Sequence, residues 1–117
     1  MSPIVIKRIY EKSAAKDGYR ILVDRLWPRG VSKEEAKLDE WLKDVAPSTE
    51  LRKWFDHIED RFPEFSKRYE DELDLKNDDL ERLKKIAKKQ QVTLLYSAKN
   101  INFNQAVVLC NYLNKKS

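Results

Sequence analysis

Three stretches of the chain are rich in apolar, strand-forming residues. Residues 4–10 (I-V-I-K-R-I-Y) are β-branched and partly alternating, residues 19–26 carry an unbroken Ile21-Leu22-Val23 centre, and residues 92–97 read V-T-L-L-Y-S. All three read as strands, and the second and third, with their continuous apolar centres, as strands covered on both faces. Between the second and third strands the period changes to that of a helix. Ser32 and Glu35 stand at capping-box spacing, each able to satisfy free backbone N–H groups at a helix start. Leu38, Trp41, Leu42 and Val45 then recur at i, i+3, i+4 and i+7, one face of a helix. Pro47 ends that helix and Ser48 can cap the next, whose inward face would be Leu51, Trp54, Phe55 and Ile58. Asp60 and Pro63 open a third with Phe62, Phe65, Tyr69 and Leu73 inward. Asn77 or Asp78 caps a fourth, with Leu80, Leu83, Ile86 and Ala87 inward and Lys84, Lys85, Lys88 and Lys89 near its end, where cations suit the helix dipole. A last helix runs over residues 104–113, and residues 114–117 are expected to fray.

The order strand, strand, helices, strand, helix predicts one α/β domain over residues 1–117. Its sheet is small, mostly parallel and of about three strands, with helices on its faces in a three-layer, Rossmann-like arrangement. One connection strains this picture. Residues 11–18 are too few for the roughly 10–12 residues of a strand-helix-strand crossover. Either the first two strands are antiparallel or the crossover is a bare loop.

Composition narrows the classes. No segment approaches the ~18 apolar residues of a membrane helix, and Met1-Ser2-Pro3-Ile4 has neither the basic region nor the apolar core of a secretory signal. The single cysteine, Cys110, excludes an internal disulfide and a multi-thiolate metal site. A cytoplasmic protein without metal or cofactor is the simplest account. The net charge of +4 comes from 24 basic and 20 acidic side chains mixed along the helices. That pattern favours a solvated surface over a nucleic-acid tail.

The candidate chemistry gathers where the strands end. Asp24-Arg25-Leu26-Trp27-Pro28-Arg29-Gly30 follows the buried second strand, at the position where open α/β sheets put their ligands. Arg25 and Arg29 offer planar forks for carboxylate or phosphate, Asp24 can orient one of them, and Trp27 offers a stackable face. The same residues also fit a structural corner, with Asp24 paired to an arginine and Trp27 plugging the core. Lys99 leaves the third strand and would face the same crevice if the two strands are parallel, with Ser97 and Asn100 as donors. Asn104 fits a plain helix cap better than an anion site. Ser48 is explained by capping, His57 lies on the polar side of its helix with no orienting partner in sequence, and Cys110 fits a small, unreactive core position. No phosphate-binding glycine loop or two-histidine zinc motif occurs.

G-Y-R-I-L-V-D-R-L-W-P-R-G-V-S-K (18–33), A-P-S-T-E-L-R-K-W-F (46–55) and L-L-Y-S-A-K-N with N-Q-A-V-V-L (94–109) resemble the YeaO-like branch of domain-of-unknown-function family 488 over nearly the whole chain. The resemblance implies a small bacterial-type α/β protein and no established reaction. It marks Arg8, Tyr10, Asp24, Arg25, Trp27, Arg29, Ser48, Lys99 and Asn104 as the recurring polar positions. In the wider family the segment before the last helix often carries Cys-His-Arg, and YeaO-like members commonly have Asn-His. Here it is Asn104-Gln105-Ala106, which speaks against a thiol or imidazole mechanism. The leading expectation is a strand-end pocket for a small anionic or nucleotide-like ligand, with catalysis left open. The alternative is a non-catalytic module binding nucleic acid or protein through the same basic, aromatic surface. Oligomeric state is not legible.

Overall fold

The computed structural model describes residues 4–115, so the N-terminal reading on residues 1–3 lies outside the described residues. Four parallel strands form one sheet in the order β1-β4-β2-β3: β1 Ile4–Arg8, β2 Tyr19–Leu22, β3 Glu40–Trp41 and β4 Val92–Tyr96. The chain is α/β as expected, with one strand more than the three read from apolar runs. Ile21, Leu22, Val23, Val92, Leu94 and Leu95 are all fully buried. Val23, just past β2, still donates to the Leu95 carbonyl at 3.0 Å.

The short first connection is a loop with one 3-10 turn, Ala15–Asp17, and no α-helix, and the antiparallel option falls away. β1 and β2 are not neighbours, because β4 lies between them and pairs with both. The loop crosses β4 and is pinned there by Thr93, whose hydroxyl donates to the Asp17 carbonyl at 2.7 Å. Gly18 turns it into β2 at φ +66°, and an added Cβ would stand 2.3 Å from the Gln91 carbonyl oxygen. Glycine meets both conditions without strain.

The two faces of the sheet are covered differently. One face (Ile4, Ile21, Val23, Val92, Leu94, Tyr96) packs against α2 Thr49–Phe55, α3 Phe62–Leu73, α4 Asn77–Ala87 and α5 Gln105–Lys115. The other has a smaller apolar cluster of Ile9, Leu22, Ala36 and Leu95, with Trp27, Val31, Leu38 and Trp41 around it. This second face also buries charge. Asp17 receives Lys7 at 3.0 Å and Arg20 at 2.6 Å, and Arg20 further donates to the carbonyls of Ala36 and Lys37. Burial opposes ionisation of Asp17, yet the Ala14 N–H, Lys7 and Arg20 outweigh it and hold the carboxyl below its ordinary range.

Several local expectations are corrected. The helix predicted through Leu38–Val45 stops after α1, Lys33–Ala36, which carries the expected Ser32–Glu35 box. Arg20 takes the carbonyls at the end of α1, Lys37 turns left-handed, and the Asp39 carboxylate accepts the Arg20 N–H at 2.8 Å. The chain is thereby drawn against β2 as β3, and Trp41 and Leu42 point to opposite faces as in a strand. α2 ends at Phe55, and Ile58 is exposed because Asp56 and His57 are both left-handed. α4 begins at Asn77 after Lys76, with no side-chain cap. α5 continues through Lys115, so Asn114 is helical, while residues 116–117 lie outside the described residues.

Candidate functional site

A cleft of about 780 Å³ opens where the strands end. Its walls come from the loops after β1, β2 and β4, the turn around Ala46 and Pro47, the end of α2 and the start of α5. That volume falls in the range of small-molecule sites.

Asp24 lies at its base, buried. Its carboxylate accepts the Ser97 N–H at 2.9 Å, the Ser97 hydroxyl at 2.7 Å and the Gln105 side-chain amide. One side chain therefore ties the β2 loop to the β4 loop and to the first turn of α5. Burial pushes its carboxyl above the ordinary range, and these donors and the Arg52 charge offset that only partly. Asp24 does not pair with Arg25 or Arg29 within hydrogen-bond distance. Arg25 donates instead to the carbonyls of Pro47 and Ala46, at 3.0 and 3.2 Å. Trp27 donates its indole N–H to the Val31 carbonyl at 2.7 Å and meets Trp41 edge-on, ring centroids 5.3 Å apart. Trp27 lines the cleft, but its packing is that of a corner piece more than of a stacking platform.

Arg29 is the exception in this block. Its side chain is exposed, lines the cleft and makes no hydrogen bond or ion pair among the described residues, while its carbonyl accepts the Tyr10 hydroxyl at 3.0 Å. Lys99 is likewise exposed in the same cleft. The strand-end block thus divides: Asp24, Arg25 and Trp27 build the corner, and Arg29 is left to the solvent.

The remaining expected residues also divide. Tyr10 lines the cleft, with the Arg8 guanidinium 4.9 Å from its ring centroid. Arg8 is not in the cleft wall; it donates to the carbonyls of Ala98 and Ser97 and braces the β4 loop from outside. Ser48 is outside too, capping α2 through Leu51 N–H and donating its hydroxyl to Glu72 at 2.6 Å. Asn104 is buried in the cleft wall as the cap of α5, accepting the Val107 N–H at 3.0 Å and donating to the Asn100 carbonyl at 2.8 Å.

Sequence reasoning missed Arg52 and Lys53, which bring two more cations from the end of α2. No local pattern marks them, because which side of α2 meets the cleft is decided by where Leu51 and Phe55 pack. His57 is solvent-accessible as expected, yet it lines the cleft, delivered there by its own left-handed backbone and that of Asp56. Gln105 had a usable signal, since it follows the residue expected to start the last helix. Cys110 is half-buried, its Sγ 3.3 Å from the Ile4 carbonyl oxygen at the far end of the sheet, and burial pushes its thiol up. Among the described residues no group of three or more His, Cys, Asp or Glu is placed to hold a metal, and no helix is long and apolar enough to cross a membrane.

A family model described as the inactive DUF488-N3 subclade matches residues 3–117. The chain is 51% identical over 110 residues to the uncharacterized protein YeaO of Escherichia coli (strain K12), covering 94% of this chain and 96% of that protein. It is 40% identical over 109 residues to the uncharacterized protein Rv3073c of Mycobacterium tuberculosis (strain ATCC 25618 / H37Rv), covering 93% of this chain and 92% of that protein. The same figures hold for the uncharacterized protein Mb3100c of Mycobacterium bovis. No solved structure matches. With nearly full coverage from the family model and these relatives, the chain belongs to the inactive DUF488-N3 subclade, among YeaO-like proteins.

Proposed function

We propose that the strand-end cleft binds a small anionic ligand of the nucleotide class and does not transform it. The observation that carries this reading is the charge of the cleft wall: Arg25, Arg29, Arg52, Lys53 and Lys99 against Asp24 and Asp56. Like charges converging on one concavity repel unless an anion enters, and a phosphate or carboxylate there gains charge-assisted hydrogen bonds. The Tyr10 ring and the Trp27 edge offer apolar surface beside those cations.

The absence of turnover follows from what the groups are already doing. Asp24 already accepts three hydrogen bonds, two from Ser97 and one from Gln105, that hold it in the wall. The thiol of Cys110 is at the far end of the sheet. His57 is exposed, and general-base work needs a second group to orient the ring. The description of the subclade as inactive agrees with this.

Thermal shift with inorganic phosphate, nucleoside mono-, di- and triphosphates and short oligonucleotides tests the reading. A mononucleotide or phosphate should raise the melting temperature of the wild type. Arg29→Ala should weaken that binding by ~1.5–3 kcal/mol, the scale of a hydrogen bond to a charged group, and leave the ligand-free melting temperature nearly unchanged. After prolonged incubation the ligand should be recovered intact by mass spectrometry. No stabilisation by any of these anions, or accumulation of a product, defeats the proposal.

A further inference from the structure

We infer that the same cleft receives the corner between α3 and α4 of a second copy of this chain, so that copies associate head to tail. Five large apolar side chains are exposed among the described residues, and they are not scattered. Tyr10 and Leu26 line the cleft; Ile58 follows His57 and Ile101 follows Asn100, both of them in its wall. The Asn100 side-chain amide donates to Glu59 at 2.9 Å, which binds those last two turns to each other. Two of the five therefore line a cationic cleft, and two more directly follow residues of its wall. Exposed apolar groups gathered on one face around polar residues mark an interaction surface.

The fifth is Leu75, the most exposed of all at 84%, and it stands at the other end of the molecule. The course of α5 establishes this. Gln105, its first residue, touches Asp24 at the strand ends; Cys110 already reaches Ile4, the first residue of β1; and Tyr112, further along, donates to Asp74. The corner at residues 74–76 is thus beyond the strand starts and cannot fold back into its own cleft. Residues 70–79 carry six carboxylates and one lysine, with Asp71, Asp74 and Asp78 exposed around Leu75. An acidic corner tipped by leucine is the charge and polarity complement of a concave basic cleft lined in part by Tyr10 and Leu26.

A patch on one end that fits a cavity on the other makes a heterologous contact, which propagates as an open chain or closes as a ring. One corner in one cleft is a small interface, below the size of stable complexes, so association should be weak. Its charges should make it sensitive to salt. The inference does not require the small-ligand reading, since both draw on Arg29 and Lys99 but either can hold alone.

Sedimentation of the full chain tests it with two variants altered only at exposed positions, Arg29→Glu/Lys99→Glu in the cleft and Asp71→Lys/Leu75→Ser at the corner. The wild type should gain mass with concentration at low salt and lose that gain at ~0.5 M salt, where the screening length is a few ångströms. Each variant alone should be a monomer, and an equal mixture should give dimers and nothing larger, because only one intact cleft and one intact corner remain. If either variant melts below the wild type, Lys99→Ala and Leu75→Ala replace them, and at least a tenfold weakening of self-association is expected from each. A wild type that stays monomeric at sub-millimolar concentration overturns the inference, as does a corner variant that self-associates like the wild type. Phosphate binding measured on the corner variant, whose cleft is intact, reads the ligand proposal separately: if the wild type stays monomeric while this variant binds phosphate, only the head-to-tail contact is refuted.

Discussion

Two buried aspartates bracket β2 and have opposite electrostatic lives. Asp17, before the strand, is held by two cations, Lys7 and Arg20, and its carboxyl is driven down. Asp24, after the strand, accepts from an N–H, a hydroxyl and an amide, and its carboxyl is driven up. At the first, the protein consumes its positive charge internally to fasten a short crossover loop that carries a single 3-10 turn, Ala15–Asp17, in place of an α-helix. At the second, neutral donors fasten the loops, and Arg29, Arg52, Lys53 and Lys99 stay exposed above them. The difference is between a site whose charges are closed on themselves and one whose charges are left for something else.

The comparison is broken most severely at Asp17. Asp17→Asn leaves Arg20 charged, buried and without its carboxylate, and removing one partner of a buried pair costs ~3–5 kcal/mol. Urea unfolding at neutral pH reads this directly, and a loss under 1 kcal/mol would show that the crossover is held by packing instead. Asp24→Asn should cost less, ~1–3 kcal/mol, because it disturbs hydrogen bonds without stranding a buried cation.

The two sites should also respond to pH in opposite senses. Asp17 has a folded pKa below its unfolded value of ~3.9, so its stabilisation is full above that value and fades as pH falls through the lower, folded one. Asp24 has a folded pKa above its unfolded value, so its contribution is greatest on the acid side and declines as pH rises through the window between the two. Stability profiles of the two asparagine variants should therefore diverge. The penalty of Asp17→Asn should grow with rising pH, and that of Asp24→Asn should shrink. Parallel profiles would mean that the two carboxylates share one environment. The smallest effect is expected at the exposed cations: Arg29→Ala, Arg52→Ala and Lys99→Ala should each change unfolding stability by no more than ~0.5 kcal/mol, as exposed positions do.

Much of the sheet was legible because the runs Ile21-Leu22-Val23 and Val92–Tyr96 are buried by α2 to α5 on one side and by α1 and the loops around it on the other. β3 was hidden for a physical reason. Leu38, Trp41, Leu42 and Val45 satisfy a helical period, and what overrides it is tertiary: Arg20 on the carbonyls of Ala36 and Lys37, and Asp39 on the β2 backbone. At the strand end, sequence identified the right loop but could not divide it. Arg25 and Arg29 are the same residue type four positions apart, and only the carbonyls of Ala46 and Pro47, far along the chain, decide which of them is occupied. Arg52, Lys53 and His57 reach the cleft through the docking of α2 and two left-handed residues, features with no signature in a linear pattern.

On the proposed reading, the exposed cations beside Asp24 form one binding site. A titration of the isotope-labelled protein with a nucleoside monophosphate, followed through backbone amide resonances, tests it most directly. The predicted result is saturable shifts confined to residues 25–30, 52–57 and 97–105, lost together in the Arg29→Ala/Lys99→Ala variant. Shifts spread along the lysines of α4, or shifts that persist unchanged in that variant, would contradict it.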